Sequence, residues 1–153
     1  MMQLQQEKEI FMVWTQLSSN NGFVAANQLI CKHIRDQALK KILNDFTDCL
    51  KEETKLLEKR LKGNGISLTP SYIKQLETQN ELMSFKNVTE TEMSAVLSMN
   101  IASSLVATSK GLEEATSEYT LLMYGHFHMK KSILGARLLQ LSKEKGWLGV
   151  STK

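Results

Sequence analysis

At 153 residues, with 42% apolar and 23% charged side chains, the chain is long enough to bury one core and ordinary in composition for a globular protein. A net charge of +3 is too mild to mark a nucleic-acid binder, and a single proline with 7% aromatic residues favours helix over sheet. The first residues, Met1-Met2-Gln3-Leu4-Gln5-Gln6-Glu7-Lys8-Glu9, lack a cationic segment followed by an apolar run, so no secretory leader is expected.

The first expected helix runs from about Gln5 to Lys32, with the stripe Ile10, Trp14, Leu17, Asn21, Val24, Gln28 and Cys31 spaced alternately four and three. Asn20-Asn21-Gly22 is its weak point, and its long helical flanks favour a tolerated glycine over a break. A turn follows at His33 to Asp36, with Asp36 as N-cap. The second helix continues to about Lys62 through Leu39, Leu43, Phe46, Leu50, Glu53, Leu57 and Leu61, and ends at Gly63-Asn64-Gly65. If the chain turns near Asp36, Cys31 and Cys49 sit offset by about 12 Å along antiparallel helices. That is beyond the roughly 4.4–6.8 Å span of a disulfide, so both read as free thiols.

Gly63 to Val88 reads as a long connection containing Pro70 and a candidate short helix from Ser71 to about Met83. Adjacent antiparallel helices need only a few linking residues, whereas about 25 can travel the length of a bundle and leave helices two and three parallel. Thr89-Glu90-Thr91-Glu92 is a capping box opening a third helix, whose stripe is Met93, Val96, Leu97, Asn100, Ile101, Ser104 and Ala107. The stretch from Met93 to Thr108 is too short and too interrupted by polar residues to span a bilayer. Thr116 and Ser117 break the pattern before a fourth helix from about Glu118 to Lys145, closed by Gly146 with Trp147 and Leu148 folding back. This chain plan, in one domain over residues 1–153, predicts an all-α, ferritin-like four-helix bundle with a long crossover between helices two and three.

Cofactor sites in bundles are built from inward side chains on facing helices, so polar residues inside the stripes are the candidates. Asn21, Gln28, Glu53, Asn100 and His128, the last one turn from Tyr124 and near Lys131, fall near mid-helix, and Asn21, Glu53, Asn100 and His128 are expected to form a buried polar cluster. A functional reading makes Glu53 and His128 ligands of a degenerate metal site; the alternative is a hydrogen-bonded core network. A di-iron centre needs Glu and His three residues apart on two helices. Here Lys55 follows Glu52, Leu56 follows Glu53, and Met123 and Gly125 precede His126 and His128 at that spacing. No metal or other cofactor is therefore expected. Basic residues at Lys32, Arg35, Lys40, Lys41, Lys130, Lys131, Arg137, Lys143 and Lys145 alternate with acids and read as a solvated face. No phosphate-cradling glycine loop, nucleophile elbow or paired metal-binding cysteines occur.

His126-Phe127-His128-Met129-Lys130-Lys131, Gly135-Ala136-Arg137-Leu138-Leu139, Lys143-Glu144-Lys145-Gly146-Trp147-Leu148 and the link Leu61-Lys62-Gly63-Asn64-Gly65-Ile66-Ser67-Leu68-Thr69-Pro70 carry a resemblance. The chain resembles an uncharacterised family of small ferritin-like helical proteins from spore-forming Gram-positive bacteria, related to spore coat protein F. The resemblance covers nearly the whole chain and implies a sporulation or stress setting, without an activity. At its end the chain departs from the pattern, with Gly149-Val150-Ser151-Thr152-Lys153 where prolines commonly follow the tryptophan.

The expectation is a cytoplasmic, non-enzymatic bundle, spore-associated if the resemblance holds, that acts through self-association or partner binding. The alternative is a metal-binding or redox bundle with a degenerate site. Neither nucleic acid nor membrane is expected as partner. A homodimer is expected because apolar residues exceed one stripe: Leu121, Leu122, Met123, Tyr124, Phe127, Ile133, Leu134, Leu138, Leu139 and Leu141 circle much of the fourth helix, and Phe11-Met12-Val13-Trp14 is an unbroken apolar run. The competing cover for that face is the crossover, through Tyr72, Ile73, Leu76, Leu82 and Phe85.

Overall fold

A computed structural model describes residues 2–66 and 87–149. Among these residues the chain is helical throughout, as α1 (Met2–Cys31), α2 (Gln37–Gly63), α3 (Glu90–Glu114) and α4 (Glu118–Lys145). The crossover with its candidate helix and lid residues, and the tail beyond Gly149, lie outside the described residues.

Local chemistry sets the helix ends. Asp36 accepts from the Leu39 amide, Thr89 from Glu92 and Ser117 from Thr120, so each of α2, α3 and α4 begins on a side-chain N-cap. At the end of α2, Gly65 takes the left-handed conformation (φ 76°) while Gly65 N donates to Lys62 O and Ile66 N to Leu61 O. That Schellman pattern brings Ile66 onto the core. Gly146 (φ 71°) closes α4 and turns Trp147 back onto it. Asn20-Asn21-Gly22 does not break α1.

Contacts along the helices fix their directions. Glu9 reaches Arg60 and Cys31 reaches Asn44, so α1 and α2 are antiparallel. Lys145 pairs with Asp36, Arg137 with Asp45 and Lys130 with Glu52, so α2 and α4 are antiparallel. The Glu90 carboxylate accepts from Arg35 N and Asp36 N, and Glu9 accepts from Thr116, so α1 and α3 are antiparallel. His128 meets Thr108, so α3 and α4 are antiparallel as well. Neighbours in this four-helix bundle are therefore antiparallel, and the diagonal pair α2 and α3 is parallel. The two carboxylates also close the ends. Glu9 ties α1 to the turn between α3 and α4, and Glu90 ties α3 to the turn between α1 and α2.

The stripe read on α2 is buried at every position, from Leu39 to Leu61. Each fully buried leucine there contributes about 1.5–3 kcal/mol. On α1 the buried face lies elsewhere: Glu9, Val13, Gln16, Leu17, Asn20, Val24, Ala25, Asn27 and Ile30 point inward. Trp14 and Gln28 are exposed, and Asn21 is only half-buried. Apolar residues surround α1 at Ile10 to Trp14, so periodicity alone left its register open, and polar partners on other helices decided it. On α3, Val96 is exposed and Asn100 half-buried, while Thr108 and Gly111 complete the inner face. Gly111 is there because a Cβ would collide with the Tyr124 ring. Of the apolar residues encircling α4, Met123, Tyr124, Phe127, Leu134, Leu138 and Leu141 are buried, whereas Leu121, Leu122, Ile133 and Leu139 face outward.

Among the described residues the apolar core forms two clusters. One gathers Phe46, Leu50, Leu97, Ile101, Leu134 and Leu138; the other gathers Val13, Leu17, Leu57, Met123, Tyr124 and Phe127. What divides them along the bundle is a polar layer.

Candidate functional site

That layer is built one residue per helix. Asn20 on α1, Glu53 on α2 and Lys131 on α4 meet at mid-bundle, and the antiparallel register places Ser104 of α3 at the same level. All four are buried. Lys131 occupies a core position because it falls in the stripe Tyr124, Phe127, Lys131, Leu134, Leu138, spaced three and four. Its ammonium lies 2.8 Å from Glu53 Oε1, with the two side chains 0% and 2% exposed. The contact is close enough for an ion pair although its angles fall short of a hydrogen bond. The ammonium also lies 5.8 Å from the centroid of Phe127, within cation–π range.

The other carboxylate oxygen, Oε2, accepts from Asn20 Nδ2 at 3.1 Å, and Asn20 Oδ1 in turn accepts from Gln16 Nε2 at 3.2 Å. Cys49 Sγ donates to Oε1 at 3.8 Å from one turn below. Burial pushes the Glu53 carboxyl above its ordinary value, and the attraction of Lys131 with the hydrogen bonds from Asn20 and Cys49 offsets this only in part. Burial and the nearby Glu53 charge push the Cys49 thiol up to about 11. That disfavours its thiolate and any nucleophilic role. Cys31 and Cys49 are both free thiols.

Of the polar residues singled out from the sequence, Glu53 is buried in this layer, while Asn21, Asn100 and His128 are half-buried. The side chain that meets Glu53 from α1 is Asn20 in place of Asn21. His128 pairs with α3: its Nδ1 lies 2.9 Å from Thr108 Oγ1. The same threonine hydroxyl also lies 3.1 Å from the Ser104 and Leu105 carbonyls. Glu53 and His128 therefore have different partners. Among the described residues no three of His, Cys, Asp and Glu gather to hold a metal. The Lys131 ammonium lies against the buried Glu53 carboxylate, and that positive charge opposes a second cation there.

Lys131, Asn20, Gln16 and Cys49 were not among the residues picked for this cluster. The four-and-three spacing of Lys131 between Phe127 and Leu134 is the signal that marks it; nothing local marks Asn20 over Asn21. Glu9 was missed too. It is buried at the end of α1 and accepts from Thr116 Oγ1 at 2.6 Å and Thr116 N at 3.4 Å, with Arg60 at 3.5 Å. Burial raises the Glu9 carboxyl, but the Thr116 and Thr120 hydroxyls, the Thr116 amide and Arg60 together hold it below its ordinary value.

Comparison with known proteins places this architecture. The uncharacterized protein YvdQ of Bacillus subtilis is 30% identical over 141 residues, spanning 92% of this chain and 83% of that protein. A crystal structure from Bacillus halodurans, described as a "putative spore coat protein", superposes with a TM-score of 0.80 at 29% identity, covering 95% of this chain and 92% of the other. Residues 4–150 match DUF3231, a family of proteins of unknown function. Near-complete coverage by both comparisons and by the family leaves one conclusion: the chain belongs to the DUF3231 family.

Proposed function

We propose that the chain is a non-enzymatic structural bundle of the spore, made in the cytoplasm and acting through self-association or binding of a partner protein. The observation that carries this reading is the near-full-length similarity to the Bacillus halodurans protein described as a "putative spore coat protein". The site chemistry is compatible with it. Lys131 and Glu53 pair inside the core, out of reach of a substrate, and the arrangement reads as a device that fixes helix register. Antiparallel neighbours joined through a parallel diagonal pair are what ferritin-like connectivity requires, and we assign the chain to that class. In this reading the Lys131 ammonium fills the mid-bundle core beside Glu53, and no metal is expected there.

A fluorescent fusion followed through sporulation in a Bacillus host tests the proposal, together with extraction of the coat from purified spores. The fusion is expected to concentrate at the developing spore and to be recovered in the coat fraction. A protein that stays evenly distributed in growing cells and is absent from purified spores overturns the assignment. Stoichiometric iron or manganese in protein purified without chelator would overturn the metal-free reading.

A further inference from the structure

The outward crest of α3 is the unusual surface of this molecule. From Met93 to Ser109 the helix carries no charged residue. In contrast, α2 turns Lys40, Lys41, Asp45, Asp48, Lys51, Glu52, Lys55 and Lys59 away from the core. Glu92, Val96, Met99, Ser103, Val106 and Lys110 follow one another at spacings of four and three and are all exposed, Met99 at 68% and Val106 at 71%. At about 100° per residue they form one straight stripe, directly opposite the buried Ile101.

The stripe is symmetric about its centre. Reversed about position 101, Val96 falls on Val106, Met99 on Ser103, and Glu92 on Lys110. A two-fold axis there lays α3 of one copy antiparallel on α3 of another, with valines facing valines, each methionine over a serine, and a carboxylate against an ammonium at both ends. Self-pairing places a patch on its own image, so charged patches repel unless opposite charges are placed symmetrically; this stripe has none at its centre and complementary charges at its two rims. The helix dipoles then also oppose favourably. Among the described residues neither Glu92 nor Lys110 forms an ion pair, although one Glu92 oxygen accepts from the Thr89 hydroxyl. Ala95 and Ala102 beside the crest permit close approach. Near Val106 and Lys110 the crest is flanked by grooves, one lined by Phe11, Met12 and Ala107 and the other by Leu105 and His128.

We propose that this stripe is a homodimer interface in which α3 pairs antiparallel with α3 of a second copy. The proposal rests on the self-association reading above and names its surface. The stripe is about 27 Å long, and a strip roughly 20 Å wide covers on the order of 500 Å² per partner. That lies at the small end of specific interfaces.

Sedimentation equilibrium up to about 1 mM, with the 17.3 kDa chain as monomer mass, reads the association. Val106→Glu is expected to weaken it by at least about tenfold, with helicity and melting unchanged because the residue is exposed. Glu92→Lys alone and Lys110→Glu alone each weaken it, and the double variant restores it, because each charge meets the other across the axis. Since Glu92 also closes the capping box, Glu92→Lys is compared at matched helicity. A wild-type dimer indifferent to Val106→Glu and to the charge exchange overturns this interface and leaves self-association standing through another face. A wild-type monomer at all concentrations overturns both, while the spore assignment stands or falls on localisation alone.

Discussion

Replacing Lys131 by methionine removes the cation and keeps most of the side-chain volume. In the native protein the ammonium lies 2.8 Å from Glu53 Oε1 with both side chains shielded from water. At an effective dielectric of about 20, that separation corresponds to about 6 kcal/mol of attraction. Most of it offsets desolvation, but removing one partner leaves the other charge buried without compensation. The expected loss for Lys131→Met is therefore about 3–5 kcal/mol. For a chain of this size that lowers the melting temperature by about 6–20 °C. The pH dependence has a definite sign. Because the Glu53 carboxyl is raised in the fold, the native state holds its proton more tightly than the unfolded chain does. Its contribution to stability therefore falls as pH rises from the ordinary carboxylate value through the raised one. Without Lys131 the carboxyl rises further, so the deficit of the variant shrinks as pH falls through the raised value toward the ordinary carboxylate range. Adding Glu53→Gln to Lys131→Met removes the charge yet preserves an acceptor for Asn20, and should recover more than half of the loss. Urea titrations at two pH values measure all three quantities. A deficit below about 1 kcal/mol, or a double variant no more stable than the single, would refute the buried-pair account.

Glycine substitutions should split by environment. Gly111→Ala places a methyl group into the Tyr124 ring and should destabilise by about 1–3 kcal/mol, whereas Gly22→Ala, with open space around it in mid-helix, should stabilise by about 0.5–1 kcal/mol in the same thermal melts. Asn27 is fully buried and neither polar atom of its amide has a partner among the described residues, so Asn27→Leu should raise stability by about 1–3 kcal/mol; a loss in urea unfolding would mean the amide is bonded in solution. Glu9 has the opposite pH signature to Glu53. Its lowered carboxyl contributes stability above the ordinary carboxylate value and loses it as pH falls through the lowered one, so Glu9→Gln should cost stability at neutral pH and narrow the gap to wild type in acid, measured by melting across pH 3–7 on the order of one-unit steps.

How far the sequence alone reaches differs from helix to helix. On α2 the alternation of leucines with lysines and glutamates is strong, and every stripe position, Glu53 included, is buried. Helix starts at Asp36, Thr89 and Ser117 and the glycine closures at Gly65 and Gly146 were legible because capping is a local hydrogen-bond problem, decided within four residues. The inner face of α1 was not legible. Four of its inward residues, Glu9, Gln16, Asn20 and Asn27, are polar, while Phe11 and Trp14 face outward. Three of these buried polar residues are bonded, and the partners that settle the register of Glu9 and Asn20 lie far along the chain, Thr116 and Arg60 for Glu9, Glu53 for Asn20. Periodicity measures the amphipathicity of one segment and is blind to such pairings. The same blindness hid Lys131, whose charge argues for solvent until Glu53 is seen across the core. The sequence by itself determined the four helices, their ends and the buried face of α2. Only the tertiary structure decided which polar groups enter the core, because a buried charge is tolerated only where another helix brings its counter-charge to the same level.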